Sequence, residues 1–462
     1  MSGFNKGATC PANYQKTGVP DFDGNPLIEA LPPNYTEEDI VEHLSYAPDL
    51  PAKIRRLPSH TRRCVLASQI RTLFQPLSLH FDLERRLAQS LRTGYLLRNP
   101  CPKRRQSSTG GNSQLFTPGL RTSPSLQTAP LGLSLIGMSG MGKTTSLVGI
   151  LQGLYPQVIV HSRYNGQPLI LQQVPWLIVS CPSDGASLKE LCNNFFSEMD
   201  ALLGTKYEEQ YKGETAEQLG RAMATVASVQ ALGLLVIDEI QFLNAARSGG
   251  HERLLNFFVE LVNTIGIPVV MVGTYHAMKV LGKYMMQVRR AGGTEGEIIW
   301  DNWLEDSSDY QLLCEALFQH QYVKKPVALS SEMRSTLYDV TQGVTDYIVK
   351  VFTAAQVRAI DAGKEQITSG IIRSVAKDLL RQAEPFLDAL RRKDRGRLME
   401  MEDVAPIDLD QFLARESRKI KVVQKNSDDK RPTAEQSSSG RTDQRKARQK
   451  KKAKQSKVKK AA

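Results

Sequence analysis

The chain has 462 residues, of which 41% are hydrophobic, 7% aromatic and 23% charged. This is the composition of an ordinary soluble protein with room for two or three domains. The formal charge of +12 is unevenly placed: residues 417–462 hold 17 Lys/Arg and 4 Asp/Glu, a net of +13, so the first 416 residues sum to −1. No run of 18 or more apolar residues provides a membrane span. The N-terminus, MSGFNKGATCPANYQK, lacks the apolar core of a signal peptide. A cytoplasmic, bacterial protein without membrane partners is therefore expected. Six cysteines form no CxxC pair and have no histidine at zinc-ligand spacing, so they read as reduced thiols.

In chain order, residues 1–35 are rich in Pro, Gly and Asn and read as irregular. Residues 36–43 open with Thr36, Glu37, Glu38 and Asp39 and predict a short capped helix. Leu66, Ile70, Leu73, Leu83, Leu87 and Leu91 recur at helical spacing, with Pro76 dividing two helices. Residues 101–130 are crowded with Ser, Thr, Gly and Pro, carry the basic patch Lys103, Arg104 and Arg105, and read as a linker. Apolar runs at 131–136, 176–180, 234–237 and 268–272 alternate with helical patterns after the first run, at 188–203 and at 251–265. Strands alternating with helices imply an α/β fold, a parallel sheet flanked by helices. From Asp309 onward only helical patterns remain, at 330–340, 343–361, 368–380 and 385–391. They predict a C-terminal all-helical lid domain. Residues 417–462 are too polar and charged to bury a core and read as a disordered basic tail. The resulting division is 1–60 as an N-terminal partner-binding segment, 61–130 as helical extension and linker, 131–305 as the α/β core, 306–405 as the helical lid and 406–462 as the tail.

The most informative stretch is Gly137, Met138, Ser139, Gly140, Met141, Gly142, Lys143, Thr144 and Thr145, a G-x-x-x-x-G-K-T loop between a predicted strand and a predicted helix. Its glycines let successive backbone N–H groups turn toward phosphates, and the helix N-terminus adds its positive end. Lys143 is expected on the β- and γ-phosphates of ATP, and the Thr144 hydroxyl on Mg²⁺. About 95 residues further, an apolar run ends in Asp238 and Glu239, the Walker B pattern. Asp238 would hold Mg²⁺ through water and Glu239 would orient or deprotonate the attacking water. Thr274, at the tip of the fourth run, is placed to touch the γ-phosphate or that water, the sensor-1 role. In its motifs the chain resembles AAA+ ring ATPases, and that resemblance implies that either Arg289 or Arg290 would reach the ATP of a neighbouring subunit. No sensor-2 arginine stands in the first turn of the 343–361 helix.

Beyond these motifs, the chain resembles the TnsC/TniB family of AAA+ ATPase regulators of bacterial DNA transposition, TnsC more closely. The likeness rests on Asn25 to Pro33, on Gly94, Tyr95, Arg98, Asn99 and Pro100, on Ser162 to Gly166, on Cys181 to Gly185, and on Val349 to Phe352 with Ala355, Gln356, Arg358 and Ile360. The resemblance implies an ATPase that is not itself the transposase. It implies ATP-bound homo-oligomeric rings or filaments on double-stranded DNA, a signal from a target selector of the TnsD/TniQ type, recruitment of transposase subunits of the TnsA/TnsB type, and disassembly by ATP hydrolysis. It also points to Arg163, Lys189 and Lys206 as candidate DNA contacts. Tyr95 and Arg98 would line the adenine pocket or a subunit interface, or simply pack. The alternative is a helicase-loader or replication-initiator-like AAA+ ATPase, which should carry a winged helix after the lid. After Pro385 only a short helix and a charged tail remain. A signalling ATPase of the STAND type should carry long repeat or effector domains, and none is visible.

Overall fold

The computed structural model describes residues 5–96, 98–101, 132–182, 187–245, 256–258, 266–278, 296–401 and 407–416. The chain divides into two units, Met1–Ile407 and Asp408–Ala462. In the second, residues 409–416 are helical, and the Asp408 carboxylate caps them by accepting from the Gln411 N–H at 2.8 Å.

The first unit begins with strand β1 (Thr9–Pro11), then helices α1 (Glu37–Leu44), α2 (Ser59–Gln69) and α3 (Ser78–Leu96). The predicted cap of α1 is present in full: Thr36 accepts from the Asp39 N–H and Asp39 accepts from the Thr36 N–H. The break near Pro76 holds a 3₁₀ turn, Ile70–Thr72. Then come β2 (Gly132–Gly137), α4 (Lys143–Leu154), a hairpin of β3 (Val158–Tyr164) and β4 (Gln167–Gln173), and β5 (Trp176–Ser180). Helices α5 (Leu188–Leu203) and α6 (Ala216–Val229) precede β6 (Leu234–Asp238), β7 (Val269–Gly273) and β8 (Glu297–Trp300). The predicted helix at 251–265 lies mostly outside the described residues, as do the 102–131 linker and the 417–462 tail.

Strands β5, β6, β7, β2 and β8 lie side by side in that order, all parallel. Every residue of β2, β6 and β7 is buried, which is why they read as near-continuous apolar runs. Alternation along each strand feeds two cores. Val269 and Met271 of β7 join Phe195, Phe196 and Met223 from α5 and α6 on one face. Val270 and Val272 join Leu147 and Leu151 of α4 and Leu87 and Leu91 of α3 on the other. The lid follows as α7 (Ser308–Gln319), α8 (Ser331–Thr341), α9 (Thr345–Asp361), α10 (Ser369–Leu379) and α11 (Glu384–Arg391).

The first 35 residues depart from the irregular reading. β1 pairs in parallel with β3, Thr9 against Val158, and Pro26–Glu29 form a buried helical turn capped by Asn25. These residues are held by buried polar groups, which leave no hydrophobic period to read. Asn25 donates to the Tyr95 carbonyl at 2.8 Å, and Asn99 donates to the Gly24 carbonyl at 3.2 Å.

Tyr95 and Arg98 are packing residues on the second core. The Tyr95 hydroxyl donates to Ala231 O at 2.8 Å. Arg98 donates to Gly94 O at 2.9 Å and Leu232 O at 2.5 Å, and lies over the Tyr95 ring. Burial lowers the Arg98 guanidinium to about 10, so it remains charged at neutral pH. Arg98→Met removes the donors and leaves buried carbonyls unpaired, at a cost of about 2–4 kcal/mol. Chemical denaturation measures this; a loss below about 0.5 kcal/mol would contradict the assignment.

Candidate nucleotide site

The P-loop is shaped by close approaches that only glycine permits. A Cβ on Gly137 would lie 2.1 Å from the Trp300 carbonyl oxygen, because β8 pairs with β2 at that residue and Met138 N–H donates to the same oxygen. Gly140 and Gly142 have φ of +81° and +88°, and Gly142 caps α4 in the left-handed conformation. Met138 and Met141 are buried, Ser139 is half-buried and Thr145 is exposed.

Lys143 is buried, and its ammonium donates to Gly137 O at 2.9 Å and Met138 O at 2.8 Å. Thr144 Oγ1 donates to Asp238 Oδ2 at 3.0 Å. Burial pushes the Asp238 carboxyl up, opposed by the Glu239 N–H, the Thr144 hydroxyl and the Lys143 charge. The hydroxyl and carboxylate are a hard-oxygen pair that suits Mg²⁺, which completes its shell with water and phosphate. Among the described residues no group of three His, Cys, Asp or Glu could hold a metal ion by itself.

Glu239 sits one residue past β6 with φ +59°, its N–H donating to Asp238 Oδ1 at 2.9 Å. Gln241 ties it to the next strand. Its amide nitrogen donates to Glu239 Oε2, and its carbonyl accepts from Thr274 N–H at 3.3 Å. Sequence reasoning does not single out Gln241; its one signal is its place two residues after the Asp-Glu pair. Thr274 Oγ1 is buried with no hydrogen-bond partner, a fit test that favours a ligand oxygen or water beside it.

The first turn of α9 closes over the loop. Asp346 N–H donates to Gly140 O at 2.9 Å, and Thr345 accepts from Trp303 Nε1 at 2.9 Å. Asp346 pairs with Lys350 at 2.6 Å. The lid therefore presents an acid, not an arginine, where it meets the P-loop.

Behind α4, His80 Nδ1 accepts from Leu77 N–H at 2.8 Å and Nε2 lies 2.9 Å from Ser146 Oγ. Burial lowers this imidazole to about 4, so it is neutral. Of the other sequence candidates, Arg289 and Arg290 lie outside the described residues. Arg163 is exposed on β3 beside the Asn165–Gly166 turn, and Lys189 is exposed in the first turn of α5. Lys206 is 82% exposed and lies 3.4 Å from Glu209. No described contact joins these three.

Residues 128–281 match the model of the AAA domain family. Together with the sheet and the helical region behind it, this defines an AAA+ P-loop ATPase fold with a C-terminal lid. Similar solved structures include the Walker-type ATPase paby2304 of Pyrococcus abyssi, at 14% identity and TM-score 0.38, covering 64% of this chain and 86% of that one. The Aeropyrum pernix ORC1 protein in complex with DNA aligns at 14% identity and TM-score 0.40, covering 78% and 87%. The Thermotoga maritima RuvB Holliday junction branch migration motor aligns at 15% identity and TM-score 0.30, covering 54% and 61%. No curated protein matches the chain. Among the described residues no helix is long and apolar enough to cross a membrane.

Two measurements probe this geometry. Thr274→Val removes an unpartnered buried hydroxyl and should raise nucleotide-free stability by about 1 kcal/mol while lowering ATP turnover; a loss of stability would reveal a partner for Oγ1. His80 binds a proton in the unfolded chain near pH 6.5 but in the folded one only near 4. Its contribution is therefore complete above about pH 6.5 and falls by about 3 kcal/mol as pH drops toward 4. His80→Gln should flatten that acid limb in pH-dependent denaturation.

Proposed function

We propose that this chain is an ATP-hydrolysing, DNA-binding regulator of DNA transposition of the TnsC type. The observation that carries the ATPase half is the convergence of Thr144, Asp238, Glu239 and Thr274 on the P-loop. Lys143 leaves its two carbonyls to contact phosphate, and Glu239 takes a proton from the attacking water while Thr274 orients it. Thr144 and Asp238 would hold Mg²⁺, which would supply neutralising charge at the phosphates. Arg289 or Arg290 acts on a neighbouring subunit's ATP.

The transposition half rests on the residues that resemble the family. The structure supports them as fasteners: Tyr95, Arg98 and Asn99 tie the N-terminal segment to the core. Gln356 accepts from Tyr322 N–H at 2.8 Å, and Arg358 pairs with Asp378 at 2.8 Å. On this reading the protein assembles as a ring or filament on duplex DNA. It links a TnsD/TniQ-type selector to TnsA/TnsB-type transposase subunits, with hydrolysis as the timer. Arg163, Lys189 and Lys206 are the first candidates for DNA contact.

The test is DNA binding and ATPase activity of the full chain with Mg²⁺-ATP, with electron microscopy of any assembly. Wild type should bind duplex DNA only with ATP. Lys143→Ala should lose ATP-dependent DNA binding, and Glu239→Gln should hold assemblies on DNA with turnover reduced at least about 100-fold. Retained binding by Lys143→Ala removes the P-loop from the model, and wild-type turnover by Glu239→Gln removes the base. A wild type that hydrolyses ATP but never binds DNA overturns the transposition half alone.

A further inference from the structure

Outside the tail, one junction of this chain concentrates positive charge. Residues 51–72 contain six Lys/Arg and no Asp/Glu; residues 320–328 add two Lys and no acid; residues 361–366 hold one Lys and two acids. These 37 residues carry a net +7, while the remainder of residues 1–416 sums to −8.

The fold brings the three segments together. Arg55 donates to Gln321 O at 2.9 Å. Arg62, 1% exposed, donates to Tyr322 O at 3.1 Å and grips Glu365 with both terminal nitrogens at 2.7 and 2.5 Å. Glu365 also accepts from Lys324 N–H at 3.2 Å, and Arg63 pairs with Asp361. Both acids are thus used by the buried side of the junction. The ion pair holds the Glu365 carboxyl below its usual range, although burial alone would raise it.

Arg71 is exposed but engaged within the fold; five further cations lie on the outside, Lys53, Arg56, Lys324, Lys325 and Lys364, all exposed. Among the described residues none of the five forms an ion pair within 4.0 Å, although the Lys324 charge helps to hold Glu365 low. Hydrogen bonds of 2.5–3.2 Å join their segments, so the five belong to one joined part of the fold. Gathering like charges costs self-repulsion, and a polyanion relieves it.

We propose that this junction is a contact surface for the phosphate backbone of duplex nucleic acid. It rests on the reading that the chain binds duplex DNA and adds where. The three segments contain no Phe or Trp and one Tyr, Tyr322, whose side chain is buried; of their two imidazoles only His60 is exposed. The surface therefore offers little on which a run of unpaired bases could stack. Four of its five cations are lysines, point charges suited to phosphates and carrying no base readout. Arg163, Lys189 and Lys206 do not share this setting; Lys206 is beside Glu208 and Glu209.

The experiment is lysine acylation footprinting of the full chain with a non-hydrolysable ATP analogue and a 40-base-pair duplex of random sequence. Lys53, Lys324, Lys325 and Lys364 should be protected at least about fivefold relative to exposed Lys212 and Lys377. The shared basic tail cannot produce that pattern at those positions. In parallel, a variant with all five cations changed to glutamine should bind the duplex at least about tenfold more weakly. Its salt dependence should be shallower by about 4.5 in log–log slope, at about 0.9 for each of the five phosphates no longer neutralised. An unchanged melting temperature and ATP-analogue affinity establish that this variant folds; if it does not fold, the wild-type footprint decides alone. Duplex binding without protection of the four lysines overturns the inference and leaves the proposed function standing. No duplex binding by wild type overturns both. Protection by polyglutamate but not by duplex identifies an acidic polypeptide as the occupant and overturns the nucleic-acid assignment.

Discussion

The site depends on one hydrogen bond made across an intervening strand. Thr144 begins the helix after β2, and Asp238 ends β6, yet β7 lies between those strands. A parallel sheet makes the contact possible, because it delivers all strand C-termini to one edge. Register does the rest: Ile136 is opposite Gly273, and Ile237 opposite Met271. A slip of one residue would turn each strand's side chains to the other face and separate the hydroxyl from the carboxylate. Two cores packed on opposite faces prevent that slip, since Val269 and Val270 cannot exchange sides without opening both.

The periphery is held differently. Around β3 and the N-terminal segment, buried polar groups are paired in sequence. Tyr14 donates to His161 Nδ1 at 2.8 Å, His161 donates to Gln173 at 2.8 Å, and Gln173 donates to Leu27 O at 2.9 Å. Burial lowers the His161 imidazole, which keeps this tautomer neutral. Glu29 collects Lys16, the Gly24 N–H and the Tyr164 hydroxyl at 2.7–2.9 Å. Burial alone would raise its carboxyl, but these donors outweigh it and hold it low. A network of this kind is specific when every member is satisfied and costly when one is removed. It joins the N-terminal segment to the hairpin, and through Asn25, Tyr95 and Arg98 to the start of the strand that ends in Asp238.

This difference explains what the sequence makes legible. Trp176–Ser180 and Leu188–Leu203 are legible to their end residues, because one is an unbroken apolar run and the other a clean helical period ending at Gly204. The P-loop and the Asp238–Glu239 pair are legible because glycine geometry and strand-end acids are local features. The β3–β4 hairpin escapes sequence reading because its inward positions include His161 and Gln173, and its outward ones include Val160 and Ile170, the latter 93% exposed; hydropathy points the wrong way. β8 is four residues long, too short for a period, and is identified by the carbonyl it places on Gly137. Tyr95 and Arg98 look functional in sequence because polar residues in a distinctive motif suggest a ligand. Their partners are backbone carbonyls some 135 residues away, which no local pattern reveals.

The site is internally compensated in some places and short of partners in others. Lys143 spends its ammonium on the carbonyls of its own loop. Glu239 is held by Gln241, whose other end holds the β7 tip. Thr274 keeps a buried hydroxyl without a partner. A phosphate entering this loop would therefore exchange contacts more than add them: it would draw Lys143 away from the carbonyls and satisfy Thr274. A ligand shifts the balance between two arrangements of a site only by its differential contacts with them. Asp346 places the lid on that balance, since its N–H bonds the Gly140 carbonyl inside the loop. Movement of the loop on binding would be felt at the first turn of α9, and α9 carries Gln356 and Arg358, which fasten the rest of the lid. Among the described residues the loop meets the lid through this backbone bond and through Thr345 Oγ1, 4.0 Å from Met141 Sδ.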